Sequence, residues 1–536
     1  MVASESKSLP TDSLKDLDSS TEKTRLLGSH HQIKPPEGEC FGSRHVLAFM
    51  AFLGFFNVYC LRVNLSVALV AMVNSTKSAA NESTSTECPV THLSNTTEKN
   101  TGEFNWSENT QGQILGAFFY GYILTQIPGG WLGEKIGGKK LFGLGVLCTA
   151  VLTLLTPIVA RWSLGGLIAL RVIEGIGEGV TFPAMNAIWG HWAPLWERSK
   201  LSSFTYAGAQ LGTVFSMPLS GILCNSDFLG GWPSVFYVFG ALGCIWFAVW
   251  MLVVHDTPAE HPRISKEERE YIEKSVGVRE RVTTPWKSIV TSPPLWAITA
   301  SHFANNWGYY TMLTCLPTYM KNILHFNIQE DGFISALPYL VCWISQNSSG
   351  QIADFLRRRH IFSTKNTRKI VNSVGLLTPA ILMCCVQFAG CNSTAVVVML
   401  TFAVGLGGFC MGGFNVNHLD IAPNYAGTLM GFTNMFATIP GFAGPAIVGV
   451  LTDSNETRHQ WQYVFYISAG VYLFGCIIFN LFADGEEQDW NTPKRDVLSF
   501  HGNGKNVPYE QIQQEINNQN YTINITPGSP ASSQRS

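Results

Sequence analysis

The sequence predicts an all-α polytopic membrane protein with twelve transmembrane helices, and three observations predict it. Hydrophobic residues make up 46% of the 536 and charged residues only 13%, about half the usual ~25% of a soluble chain. Crossing the hydrocarbon core takes about 20 mostly apolar residues in a helix. Twelve such stretches occur, at 46–73, 111–133, 141–160, 164–194, 199–224, 231–254, 294–320, 331–353, 368–390, 395–416, 425–452 and 460–483. With the amino terminus in the cytosol, the inner connections hold 18 Lys and Arg and the outer ones 5, the asymmetry that orients membrane proteins.

The polar amino tail, 1–45, is rich in Ser and Thr and reads as disordered and cytosolic. It holds Glu22-Lys23-Thr24-Arg25-Leu26-Leu27, an acidic dileucine pattern of the kind read by cytosolic sorting adaptors. The first span follows some 45 polar residues and lacks a small-residue cleavage site, so it is not a removable signal peptide. The outer loop 74–110 carries Asn74, Asn81, Asn95 and Asn105, each in an N-x-Ser/Thr sequon, which is usable only on the lumenal or extracellular side. Loop 255–293 separates an amino-terminal half, 46–254, from a carboxyl-terminal half, 294–484. The tail 485–536 reads as cytosolic and disordered, with silent sequons at Asn520 and Asn524.

The formal net charge of −2 gives no basic footprint for nucleic acid. The 13 cysteines lie mostly in apolar runs without CxxC spacing, so neither a disulfide framework, a metal site nor a cofactor is implied. No catalytic motif stands out, and an enzyme is not expected.

The halves repeat a pattern. GGWLGEKIGGKK follows the second span and SGQIADFLRRR follows the eighth. Aligning Gly130 with Gly350 sets Glu134 over Asp354, with Lys135 and Arg357 among the cations that follow. The Gly-x-x-small-acid pattern resembles the signature of the major facilitator superfamily, in which the acid caps and pairs across helix ends at the cytosolic gate. Two six-helix halves around a midplane site are what the resemblance implies.

Charged residues inside spans are costly, so each is a functional candidate. Arg171, Glu174 and Glu178 share one face of the fourth span, at spacings of 3, 4 and 7. One cation cannot neutralise two acids cheaply, and the less well paired acid suits a proton carrier; a static ion network is the other reading. On this helix alone Glu174 is the better paired and Glu178 the proton carrier, unless Arg62 or His302 packs against Glu178. Glycines 175, 177 and 179 serve close approach, a hinge or simple packing. Arg62, mid-depth in the first span, suits a substrate carboxylate through its two-pronged guanidinium, or else a static partner. His302 titrates in the physiological range or is a core histidine. Tyr120, Tyr206, Gln210, Asn305, Asn306 and Tyr309 offer neutral hydrogen bonds, or aromatic packing.

Longer strings resemble one branch of the superfamily, the anion/proton transporters (sodium/anion cotransporters). They include LRVNLSVALV, GAFFYGYILTQIPGG, RVIEGIGEGVTFPAM, WERSKLSSFTYAGAQLGTV, LPTYMK and NHLDIAPNYAGTLMGFTNMFATIPGFAGP. The presence of both Glu174 and Glu178 resembles the sialin-like, acidic-sugar-exporting members. Leu115 and Asn305 stand where glutamate-type members have a histidine and an arginine. Asn186 departs from the sialin-like pattern, which has histidine there. The resemblance implies Arg62 for the substrate carboxylate and Arg171, Glu174, Glu178 and His302 for proton coupling.

The expected function is proton-coupled symport of organic anions, exporting sialic acid and other acidic sugars across the lysosome membrane by alternating access. The rivals are a vesicular importer of aspartate or glutamate, a sodium-dependent phosphate cotransporter, and a non-transporting receptor or scaffold. Expected partners are a small carboxylate anion, protons, membrane lipid and sorting adaptors.

Overall fold

In lipid a backbone must satisfy its own hydrogen bonds, which restricts a chain of apolar segments to helices. The computed structural model describes residues 42–73, 102–106, 108–277, 284–323, 328–452 and 457–491, with two short strands at 501–502 and 505–506. Among these, helices follow the twelve stretches in order: Ser43–Met72, 108–136, Gly138–Trp162, 164–192, Arg198–Cys224, Pro233–Val253, Pro293–Asn322, Ile328–Arg358, Thr364–Cys385, Ser393–Ile421, Pro423–Thr452 and Arg458–Phe482.

Eight of these helices are long and apolar enough by themselves to cross a membrane. The second, fourth, seventh and eighth are not. The second is broken at Thr125 and the fourth at Gly179 and Val180, leaving pieces too short to span alone. The seventh and eighth carry polar runs, Asn305-Asn306 and Gln346 to Ser349. These four turn polar residues toward the protein interior rather than lipid.

Within the amino-terminal half the first span packs chiefly on the fifth and the second on the fourth, while the third packs on both the fourth and the sixth. Within the carboxyl-terminal half the seventh packs on the twelfth and eleventh, the eighth on the tenth and the ninth on the twelfth. The halves meet along two seams, second against eleventh and fifth against eighth.

Three features modify the sequence reading. Loop 255–293 contains helices Lys266–Val276 and Trp286–Val290. Glu268 of the first of these accepts hydrogen bonds from Ser43 N at 2.7 Å and Arg44 Nη1 at 2.8 Å, and Arg44 Nε reaches Glu197 at 2.8 Å. The carboxyl tail starts later than 485: Gln488 N donates to Ile421 O at 2.8 Å, and Asn424 donates two hydrogen bonds to Asn491. A separate unit beyond Asn491 holds a two-stranded antiparallel ladder pairing His501 with Asn506. Finally, Cys391 is disulfide-bonded, which the cysteine spacing did not signal.

On the lumenal side Glu103 is gripped by Arg161 at 2.9 and 3.0 Å and by Trp232 Nε1 at 3.2 Å. The Arg161 hydrogen bonds hold its carboxyl below the usual range.

Candidate functional site

Helix N-termini leave backbone N–H groups unpaired, and the two signature copies use this reciprocally. Glu134 accepts from Thr428 N at 2.8 Å and Thr428 Oγ1 at 2.7 Å, at the third residue of helix Ala426–Thr438 in the opposite half. Asp354 accepts from Lys200 N at 2.7 Å, at the third residue of Arg198–Cys224, again in the opposite half. The glycines permit these crossings. A Cβ on Gly130 would collide with the Gly427 carbonyl, and one on Gly350 would sit 2.7 Å from the Ser199 carbonyl. Of the cations, Arg357 lies 3.7 Å from Asp354 and donates to Leu195 O at 3.1 Å. Lys135 instead lies over the Trp131 ring on its own helix.

Buried charges complete this layer. Arg368 donates to Asp420 at 2.6 and 3.3 Å and to Ser199 Oγ at 2.7 Å, and Arg198 donates to Leu419 O at 2.7 Å and lies 3.5 Å from Asp420. These cross-half bonds sit at the end the positive-inside bias assigns to the cytosol, so this conformation is shut on that side. The sequence reading missed Arg198, Arg368 and Asp420, which lie at span ends and look like ordinary topology charges.

Above this layer lies a cavity lined by both halves. Of the expected residues, Tyr206, Gln210, Asn305, Asn306, Tyr309 and His302 line it. Tyr309 OH donates to Gln210 Oε1 at 3.3 Å across the halves, and Asn306 donates to Ala437 O at 2.9 Å. Tyr120 does not line it: its side chain is 59% exposed on the outside of the bundle, beside Phe442. It lies two residues from Tyr122, which does line the cavity, and one turn of a helix puts such neighbours on different faces. Tyr59, Tyr122, Tyr310 and Asn434 were missed, being polar residues common in any aromatic-rich span.

Asn186 donates to Tyr206 OH at 2.6 Å, and its Oδ1 is buried without a hydrogen-bond partner. The departure from the sialin-like pattern thus acts on the cavity through Tyr206.

The acids of the fourth span are paired differently from the expectation drawn on that helix alone. Arg171 Nη1 donates to Glu174 Oε2 at 2.6 Å, supported by Thr153 Oγ1 on Oε1 at 3.3 Å. Glu178 has its own cation: Arg62 Nε donates to its Oε1 at 2.7 Å, while Glu178 Oε2 is buried without a partner. There are two cations for two acids, and Arg62 is occupied by Glu178 rather than free in the cavity. Its guanidinium also faces the rings of Tyr59, Tyr122 and Phe118 at 4.7 to 4.9 Å, and reaches Tyr310 OH at 3.4 Å. Three of those neighbours line the cavity, so Arg62 lies one side-chain layer behind it. Phe118 faces Arg171 as well, at 5.3 Å. The close second-to-fourth approach depends on Gly175, whose Cβ would strike the Phe118 carbonyl.

Asn105 is exposed at the lumenal surface. Asn74, Asn81 and Asn95, and the sorting residues Glu22, Leu26 and Leu27, lie outside the described residues. Among the described residues no cluster of His, Cys, Asp and Glu is placed to hold a metal.

Sialin from Homo sapiens is 53% identical to this chain over 484 residues, covering 89% of the chain and 96% of sialin. Vesicular glutamate transporter 2 from Bos taurus is 42% identical over 464 residues, 85% of this chain and 77% of that protein. The solved proton:xylose symporter XylE superposes with a TM-score of 0.60 at 14% identity, over 83% of this chain and 96% of its own. The family profile described as Major Facilitator Superfamily matches residues 47–445. With two helix halves crossing at reciprocal glycine and acid positions, the chain belongs to the major facilitator superfamily.

Proposed function

We propose that the chain is a proton-coupled symporter that exports sialic acid and other acidic sugars from the lysosome by alternating access. The observation that carries this reading is the hold of Glu178 on Arg62 beside the cavity. While Glu178 is ionised, the guanidinium is taken. A proton arriving from the lumen cancels the competing charge, and a substrate carboxylate can then replace Glu178 on the two-pronged guanidinium. Anion and proton enter together without adding net charge to the site. At the higher pH of the cytosol Glu178 loses its proton, re-forms its pair with Arg62 and displaces the carboxylate. Arg171 and Glu174 remain paired behind Phe118 as a fixed support.

A lumen about two pH units below the cytosol supplies about 2.7 kcal/mol per proton, roughly a 100-fold gradient of substrate. The kinship with sialin supports the acidic-sugar assignment. Import of acidic amino acids into vesicles is the second reading, supported by the likeness to vesicular glutamate transporter 2. Leu115 and Asn305 argue against it, standing where glutamate-type members have histidine and arginine.

Uptake of labelled sialic acid into proteoliposomes tests the choice. The proposal requires uptake that follows an imposed pH gradient without sodium. Uptake of glutamate driven by membrane potential, or of phosphate with sodium, would replace it. The location has its own test: Leu26→Ala with Leu27→Ala should send the protein to the plasma membrane, and retention in acidic organelles would remove the motif from the proposal.

A further inference from the structure

The sequence singled out one histidine of the carboxyl-terminal half, and the structure gives it a partner. His302 Nδ1 lies 3.2 Å from Thr433 Oγ1, and the same hydroxyl lies 2.8 Å from His418 Nε2. His418 Nδ1 lies 2.8 Å from Asn415 O. His302 lines the cavity, while His418 is wholly buried, next to Leu419 and Asp420 of the cytosolic layer. We propose that His418 is a second proton-carrying residue of the transport cycle, linked to the cavity by the Thr433 hydroxyl. The inference rests on the proton-coupled reading above.

Donor and acceptor roles fix the direction of the chain. A backbone carbonyl only accepts, so His418 Nδ1 carries hydrogen and the neutral ring presents Nε2 as an acceptor. The Thr433 hydroxyl has Met430 O at 3.3 Å and His418 Nε2 at 2.8 Å as acceptors; the histidine is the closer. Donating there, its oxygen accepts from His302 Nδ1–H. That leaves His302 Nε2 as the basic nitrogen for a proton from the cavity. When that proton binds, the Nδ1 proton passes to Thr433 Oγ1, and the hydroxyl's own proton passes to His418 Nε2. One proton has been added in all. His302 ends neutral in its other tautomer, Thr433 is again a hydroxyl, and His418 is an imidazolium.

The charge arrives where the cytosolic side is held shut. Asp420, on the same short helix, faces Arg368 from the ninth span and Arg198 from the fifth, and Arg198 also holds the intervening Leu419 carbonyl. The seventh span contributes His302, and the fourth His191, whose ring is bonded to its own Ala187 carbonyl; the eleventh span, 426–452, has no charged residue. An imidazolium at 418 competes with both arginines for Asp420 and repels them, loosening the bonds that join the halves. A lumenal proton thereby weakens the cytosolic closure.

The test compares Thr433→Val, which keeps shape and removes the hydroxyl, with Thr433→Ser, which keeps the hydroxyl. Net pH-driven uptake and counterflow exchange of labelled sialic acid are measured in the same proteoliposomes, so that their ratio is independent of protein amount. Thr433→Val and His418→Gln should each lower the ratio of net to exchange flux about 100-fold or more, the low end of what a positioned proton-transfer group contributes, while Thr433→Ser stays within about twofold of the parent. An unchanged ratio in Thr433→Val, or an equal fall in Thr433→Ser, overturns the relay. Absence of pH-driven uptake in the unaltered protein overturns the proposed function itself, and the relay with it.

Discussion

The two halves share a helix order and mirrored cytosolic crossings, yet their mid-membrane chemistry differs. The amino-terminal half concentrates charge there: Arg62 with Glu178, and Arg171 with Glu174. The carboxyl-terminal half faces the cavity with neutral groups, Asn305, Asn306, Asn434 and the tyrosines, backed by the His302, Thr433 and His418 chain. Charge in low dielectric is strong and expensive, whereas neutral hydrogen bonds are individually modest. The difference teaches a division of tasks. Under the proposed function, one half supplies the charge that an anion and a proton contest, and the other shapes the cargo's surroundings and contains a neutral path for a proton.

The sharpest way to break this division is Glu178→Gln. The amide holds no exchangeable carrier proton, so pH-driven net uptake should fall about 100-fold, within the range of a lost proton-transfer group, while substrate-for-substrate exchange continues because Arg62 is no longer contested. Normal pH-driven uptake by the variant would refute the role of Glu178. Glu174→Gln should impair both modes and lower abundance, since removing one member of a buried ion pair costs about 3–5 kcal/mol. Quantitative immunoblotting beside the transport assay separates it from Glu178→Gln.

Next in size is Arg62→Lys, which retains charge without the fork. Apparent affinity for sialic acid should weaken about tenfold, or about 1.4 kcal/mol. Unchanged affinity in a substrate titration removes the carboxylate-clamp role. In the other half, Asn305→Ala should raise the apparent KM only about threefold, the worth of one neutral hydrogen bond at about 0.5–1.5 kcal/mol, with the pH profile of uptake unmoved. A shifted pH profile would show that coupling is not confined to the residues assigned to it. Smallest is Tyr120→Ala. With its side chain outside the cavity, uptake should stay within about twofold, as for surface changes worth about 0.5 kcal/mol or less; a large loss in the same titration would return Tyr120 to the site.

The sequence by itself determined the class, the number of helical spans and the repeated signature, and it set the expected orientation. These follow from quantities summed along the chain: apolar length against membrane thickness, and Lys/Arg counts on either side. It also pointed to Arg62, Arg171, Glu174, Glu178 and His302, because an ionisable residue in an apolar run stands out without knowledge of its neighbours. What only the tertiary structure decided was who meets whom. Helical spacing reports contacts within the fourth span, so it found Arg171 beside Glu174, but nothing local could bring Arg62 from 116 residues away to Glu178. The same limit put Tyr120 in the cavity by type when its position on the helix turns it outward, and passed over Thr433 and His418, ordinary residues until the seventh, tenth and eleventh spans place them in one hydrogen-bonded line. It hid the meaning of Gly130 and Gly350 as well: a missing Cβ matters only where a second backbone arrives, and those arrive from the opposite half.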